Sequence, residues 1–180
     1  MKRPFRMTFT ALLVLTGAAY AHNYVANDLS HRSADAALRI ADLTLSQVVY
    51  DPLPADGQLW LTFDVKAGDP IYMQLGVPYL ERLADYRPSL ALVGPPGTGN
   101  DTVPFALPAG TSVRRFDTVE RDPVFFDEPF TGTQSWILVE EEFNLPADGT
   151  YYIVAFDPAG NGASSGPPGE NVKPSHSGIF

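Results

Sequence analysis

A turn-and-strand phrase occurs twice in this chain and constrains its fold more than any other feature. Leu53-Pro54-Ala55-Asp56-Gly57 runs into Gln58-Leu59-Trp60-Leu61-Thr62-Phe63-Asp64, and Leu145-Pro146-Ala147-Asp148-Gly149 runs into Thr150-Tyr151-Tyr152-Ile153-Val154-Ala155-Phe156-Asp157. A shorter echo, Leu107-Pro108-Ala109-Gly110, precedes Thr111-Ser112-Val113. Proline presets φ at the second position of a turn, and Asp-Gly supplies a residue that tolerates the left-handed region. The reading places Gly57 and Gly149 at positive φ. The aromatic and β-branched runs that follow suit a pleated, half-buried surface.

The same rhythm extends along the chain. Leu43 to Tyr50 reads as a strand, and in the next one Leu59, Leu61, Phe63 and Val65 share one face while Trp60, Thr62 and Asp64 share the other. Ile71, Met73 and Leu75 repeat the inward pattern after the turn Ala67-Gly68-Asp69-Pro70. Val77 to Tyr86 breaks it: Pro78 suits a first helical position, Leu80, Leu83 and Ala84 fall on one helical face, and Pro88 stops the helix. Ser89 to Val93, Thr111 to Thr118, Gln134 to Glu141 and Tyr151 to Phe156 complete the strands, with an irregular aromatic stretch over Pro123 to Phe130. Seven or eight short strands with one short inserted helix predict an all-β fold, an antiparallel β-sandwich of jelly-roll or Greek-key type. The spacing of the phrases is too irregular for a solenoid or propeller.

The ends read differently. Lys2, Arg3 and Arg6 precede an uncharged apolar stretch from Met7 to Ala18, and Ala19-Tyr20-Ala21 offers the small residues a signal peptidase reads. Residues 1–21 are therefore expected to be a cleaved signal peptide, leaving His22 first and no membrane span after processing. Residues 22–42 form an N-terminal arm, 43–157 the sandwich, and 158–180 a mobile tail rich in Gly, Pro and Ser. Losing 21 of 180 residues leaves 159, the size of one domain. Losing three basic residues shifts the net charge from −9 to −12, which argues against nucleic acid or anionic lipid as partner. The absence of Cys removes thiol catalysis, thiolate metal sites and a disulfide framework. The expected location is secreted or periplasmic.

Three segments carry a family resemblance. Leu61-Thr62-Phe63-Asp64-Val65-Lys66-Ala67-Gly68-Asp69, Ser89-Leu90-Ala91-Leu92-Val93-Gly94-Pro95-Pro96-Gly97, and Phe143 to Val154 with Asp148-Gly149-Thr150-Tyr151-Tyr152 resemble, in order, three strand-and-turn pieces of the bacterial pre-peptidase C-terminal domain. The resemblance spans about 100 residues and implies a secreted β-sandwich acting as an accessory module without catalytic residues. Val77 to Arg87 and Thr111 to Thr133 depart from the family as insertions, and the peptidase that usually accompanies it is not in this sequence.

Several motifs admit chemistry. Gly94-Pro95-Pro96-Gly97-Thr98-Gly99-Asn100-Asp101 imitates a phosphate loop, yet Asn100 and Asp101 stand where Lys and Ser or Thr are needed, so no nucleotide is expected. An N-terminal His22 could chelate copper through its amine and imidazole with His31 or His176 as second ligand. Asp157, Asn161 and the carbonyls of Pro158 to Gly162 could wrap Ca²⁺. The carboxylate pairs Glu120/Asp122 and Asp127/Glu128 admit a hydrolase. No cofactor is required by any of these patterns, and Ca²⁺ and copper are the two they admit. The leading expectation is a non-catalytic module that binds a glycan or a protein surface through inserted loops, with Tyr79, Tyr86, Arg87 and Phe125 as binding residues.

Overall fold

The structure, a computed structural model, describes residues 23–128, 132–160 and 177–179. Eleven strands are formed among them: β1 (Asn23–Tyr24), β2 (Leu38–Arg39), β3 (Gln47–Asp51), β4 (Gln58–Val65), β5 (Pro70–Pro78), β6 (Ser89–Gly94), β7 (Ser112–Phe116), β8 (Val124–Asp127), β9 (Gln134–Asn144), β10 (Gly149–Phe156) and β11 (Ser177–Ile179). They make a β-sandwich of two sheets, one ordered β1-β3-β11-β5-β9-β8 and the other β2-β4-β10-β6-β7. Only β6–β7 and β8–β9 are neighbours in both sequence and sheet, so every other step between consecutive described strands crosses to the opposite layer. Pairing is antiparallel except where β1 joins β3 and β2 joins β4. No helix among the described residues is long and apolar enough to cross a membrane.

The two repeated phrases deliver adjacent strands. β4 and β10 pair antiparallel over eight rungs, from Gln58 opposite Phe156 to Val65 opposite Gly149. Their alternation puts Leu59, Leu61, Phe63 and Val65 with Tyr151, Ile153 and Ala155 on the face that meets Ile71, Met73, Leu75 and Val77 of β5. The other face is apolar at one end. Trp60, Val154 and Phe156 form a second cluster, covered by Val103, Phe105 and Leu107 of the β6–β7 connection and by Ala34 and Ala37 of the arm. Trp60 meets Phe105 edge-on at 5.3 Å and Tyr152 at 5.6 Å.

The arm expected to precede the sandwich is built into it. Asp51, 1% exposed at the end of β3, accepts hydrogen bonds from Arg32 Nη1 at 2.8 Å, Asn27 Nδ2 at 2.7 Å and the Leu53 amide at 2.8 Å. Arg32 also donates to the Gln58 carbonyl at 3.1 Å, and the Trp60 amide donates to the His31 carbonyl at 2.9 Å. At the other end, residues 177–179 of the expected tail run as β11 between β3 and β5. Of the expected helix over 77–86, a single 3₁₀ turn at Glu81–Leu83 is formed. β5 extends through Pro78 and Leu80 is extended at φ −129°, so too few residues remain before Pro88 for an α-helix. The aromatic stretch after Pro123 supplies β8, a strand the sequence rhythm did not announce.

The two phrases differ in conformation despite their shared sequence. Gly149 has φ +147°, as its turn chemistry predicts, whereas Gly57 is not at positive φ and the left-handed residue of the first phrase is Leu53 at φ +37°. What constrains Gly57 is space: a Cβ there would overlap the Pro54 ring. Both phrase leucines, Leu53 and Leu145, are core residues at 1% exposure. Gly149→Ala should therefore cost about 1–3 kcal/mol whatever its neighbours. Gly57→Ala should destabilise alone but be largely rescued by Pro54→Ala. Urea unfolding of the singles and the double checks this; no coupling between positions 54 and 57 would show that the first turn is held by φ instead.

Candidate functional site

Two of the four expected binding residues meet at one edge of the six-stranded sheet. Phe125 on β8 lies opposite Trp136 on β9, which lies opposite Val77 on β5. Paired residues share a face, so this row runs outward from buried Val77 through half-buried Trp136 to Phe125, 47% exposed. Tyr79 joins it because its amide donates to the Gln134 carbonyl at 2.9 Å just past the end of β5. Its ring sits 4.8 Å from Phe125, edge to face, and 4.4 Å from Trp136 at a 45° tilt. Tyr79 is 44% exposed and the adjacent Leu80 43%. The rung two residues along, Asp127 opposite Gln134, shares this face, and Gln134 Nε2 donates to Asp127 Oδ2 at 3.3 Å. The result is an aromatic shelf with an amide and a carboxylate at its border.

Tyr86 and Arg87 are placed elsewhere. Tyr86 is 8% exposed and belongs to the core between the sheets with Leu83, so it plugs the sandwich rather than presenting a ring to solvent. Burial, reinforced by the Asp157 and Asp51 carboxylates, pushes its phenol well above the ordinary value, and its hydroxyl finds no hydrogen-bond partner among the described residues. Arg87 Nη1 donates to the carbonyls of Ala84 at 2.7 Å and Tyr86 at 3.1 Å, closing the turn after the 3₁₀ segment. Neither residue joins Tyr79 and Phe125 at the sheet edge, because Leu83 and Tyr86 anchor this connection to the core.

The other expected chemistries disperse. His22, His176 and Asn161 lie outside the described residues. His31 Nδ1 lies 2.6 Å from the Ala36 carbonyl and Nε2 3.4 Å from Asp28 Oδ1, an engagement within the arm. Asp157 opens a turn in which its Oδ1 accepts the Ala159 amide at 2.8 Å. Among the described residues no group of three or more His, Cys, Asp or Glu could hold a metal ion. Glu120, Asp122 and Asp127 are exposed and Glu128 is buried. The imitation phosphate loop is a turn pinned to β7: Thr98 Oγ1 donates to the Pro95 carbonyl at 2.8 Å, the Thr98 amide to Ser112 Oγ at 3.1 Å and the Asp101 amide to the Val113 carbonyl at 3.0 Å.

Sequence reasoning missed an apolar pocket of about 270 Å³ between the sheets. Its walls include Val49 of β3 and Ile71 and Tyr72 of β5, and its floor is Leu61, Phe63 and Ile153 of the opposite sheet. Leu43 and Leu45 stand at its lining 40% and 50% exposed, in the loop before β3. Tyr72 Oη donates to Glu140 Oε1 at 3.0 Å; partial burial and this bond push its phenol up to about 12. No local signal announces the pocket, because it arises from which strands become neighbours.

Comparison with known protein families, curated proteins and solved structures gives no match for this chain. The site therefore rests on its own geometry.

Shelf and plug should separate in stability. Tyr86→Phe, which removes an unpaired hydroxyl, should leave stability unchanged or raise it, while Tyr86→Ala should cost about 3–5 kcal/mol. Tyr79→Ala and Phe125→Ala should cost less than about half of that. Urea unfolding distinguishes them, and a loss at Phe125→Ala equal to that at Tyr86→Ala would make the shelf part of the core.

Proposed function

We propose that the chain is an exported, non-catalytic binding module whose aromatic shelf recognises a glycan. The observation that carries this reading is the cluster of exposed Tyr79 and Phe125 on half-buried Trp136, with Gln134 and Asp127 on the same face. The faces of a sugar ring are apolar C–H surfaces that stack on aromatic rings, while its hydroxyls need donors and acceptors such as a side-chain amide and a carboxylate. An aromatic pair held between a strand end and an edge strand offers both from a rigid support. The basic residues and apolar run before Ala21 support export, and the resemblance to the pre-peptidase C-terminal domain supports an accessory role. The net charge of −9 favours a neutral or basic ligand over an anionic one.

Exported protein, whose intact mass should begin at His22, would be screened on a glycan array. A saturable hit is expected, weakened at least about tenfold by Tyr79→Ala and by Phe125→Ala while the melting temperature stays within about 2–4 °C. Folded variants that bind as well as the parent would overturn the shelf as the site. Saturable capture of a protein ligand at the same residues, with no glycan hit, would replace the glycan by a protein surface.

A further inference from the structure

We propose that the shelf selects an amino sugar: a single hexosamine residue stacks on the Phe125 ring while its protonated amine pairs with the Asp127 carboxylate. This rests on the reading of the shelf as a glycan site and adds the charge of the sugar and the number of rings engaged. Asp127 and Phe125 share one face of β8, two residues and about 7 Å apart, and both are exposed. Gln134 Nε2, a neutral donor at 3.3 Å, is the partner of Asp127 among the described residues. The ion pairs formed among them engage other carboxylates. Asp127 therefore sets an uncompensated negative charge beside an exposed aromatic ring.

The ring angles limit the ligand to one sugar at a time. Phe125 stands 75° from Tyr79 and 76° from Trp136, and Tyr79 is tilted 45° from Trp136. No pair is coplanar, so consecutive sugars of a flat chain find no continuous platform. Trp136 is half-buried and backs the two exposed rings. A pyranose stacked on Phe125 spreads its equatorial substituents around its own rim, toward Asp127 and Gln134 on the same face. A protonated amine there pairs with the carboxylate. It also draws electron density from the adjacent C–H bonds, which strengthens their contact with the negative face of the aromatic ring.

The remaining polar groups suit a sugar better than a lysine side chain. The amide oxygen of Gln134 and the hydroxyl of Tyr79 engage no described residue, so both are available to hydroxyls beside the amine. A lysine would use the ring and the carboxylate and leave these groups to water. The β8–β9 turn fixes the spacing: the Glu128 amide donates to the Thr133 carbonyl at 3.0 Å and the Gly132 amide to the Glu128 carbonyl at 2.8 Å, directly beyond the Asp127–Gln134 rung. An N-acetylated sugar keeps the stacking and forfeits the ion pair. A uronic or sulfated sugar brings like charge to Asp127 and is disfavoured.

The test titrates the full chain by calorimetry with the β-1,4-linked trimers of glucosamine and of N-acetylglucosamine, at low salt and below the pKa of the amine. The glucosamine trimer should bind at least about threefold more tightly, an advantage that shrinks in about 0.5 M salt. The isosteric surface variant Asp127→Asn should bind the two trimers equally, and Phe125→Ala should weaken both at least about tenfold. Equal affinity of both trimers for the parent, or an advantage that survives Asp127→Asn, would overturn the amine selection while leaving a glycan site at the shelf. Binding of neither trimer beside a Phe125-dependent neutral glycan would do the same. Failure to find any Phe125-dependent glycan would instead sink the glycan reading itself, and this proposal with it. Acetylated, amidated lysine binding as tightly as the glucosamine trimer would overturn the sugar in favour of the amine of a protein chain.

Discussion

The architecture depends on the seam between β4 and β10. Eight rungs join them; β10 is apolar on both faces from Tyr151 to Phe156, and β4 adds Trp60 to the outer side. On the inner side Phe63 stacks on Tyr151 at 6.2 Å with the rings 11° from parallel. On the outer side Trp60 meets Tyr152, and at the open end Thr150 Oγ1 donates to Asp64 Oδ1 at 2.6 Å. β2 attaches to the free edge of β4, while β6 and then β7 extend the sheet from β10. A sheet buried on both faces needs cover, which explains why the arm and the β6–β7 connection are packed rather than loose. That division leaves the six-stranded sheet as the layer that carries the shelf, at its β8 edge.

Much of this seam was legible in the sequence, because period-2 alternation and Pro-x-Asp-Gly turns are local properties of Leu59 to Val65 and Tyr151 to Phe156. What the phrase could not disclose is that its two copies fold differently. In the first, Asp51 Oδ1 captures the Leu53 amide and draws Leu53 to positive φ; in the second, the Asp148 carboxylate turns to the Ala67 amide at 2.8 Å and Lys66 Nζ at 3.2 Å. These partners lie outside the phrase. The arm was illegible for a similar reason: Asn27 and Arg32 show no period, and their importance comes from a buried carboxylate some twenty residues away. Removing Arg32 would strand that charge, which is why such a segment cannot be treated as a leader to the domain.

The site divides along the same line. Tyr79 and Phe125 could be singled out as aromatics off the inferred strands, and both are half-exposed. Tyr86 carried the same signal and is buried, because Leu83 draws the connection inward. Trp136 completes the shelf but reads in sequence as one more strand residue. The pocket depends on strand order, with residues 177–179 pairing between strands formed about a hundred residues or more earlier. Ser177-Gly178-Ile179 has no strand signature of its own. Its pairing is set by the two edges that flank it.

Native-state hydrogen exchange followed residue by residue tests the central claim most directly. If the seam carries the fold, amides of Tyr152 to Phe156, which lie between β4 and β6, should exchange only through global unfolding, with those of edge strands β7 and β8 faster by orders of magnitude. Exchange of the β10 amides as fast as those of β8, with β5 and β9 still protected, would contradict the account and place the stable unit in the six-stranded sheet.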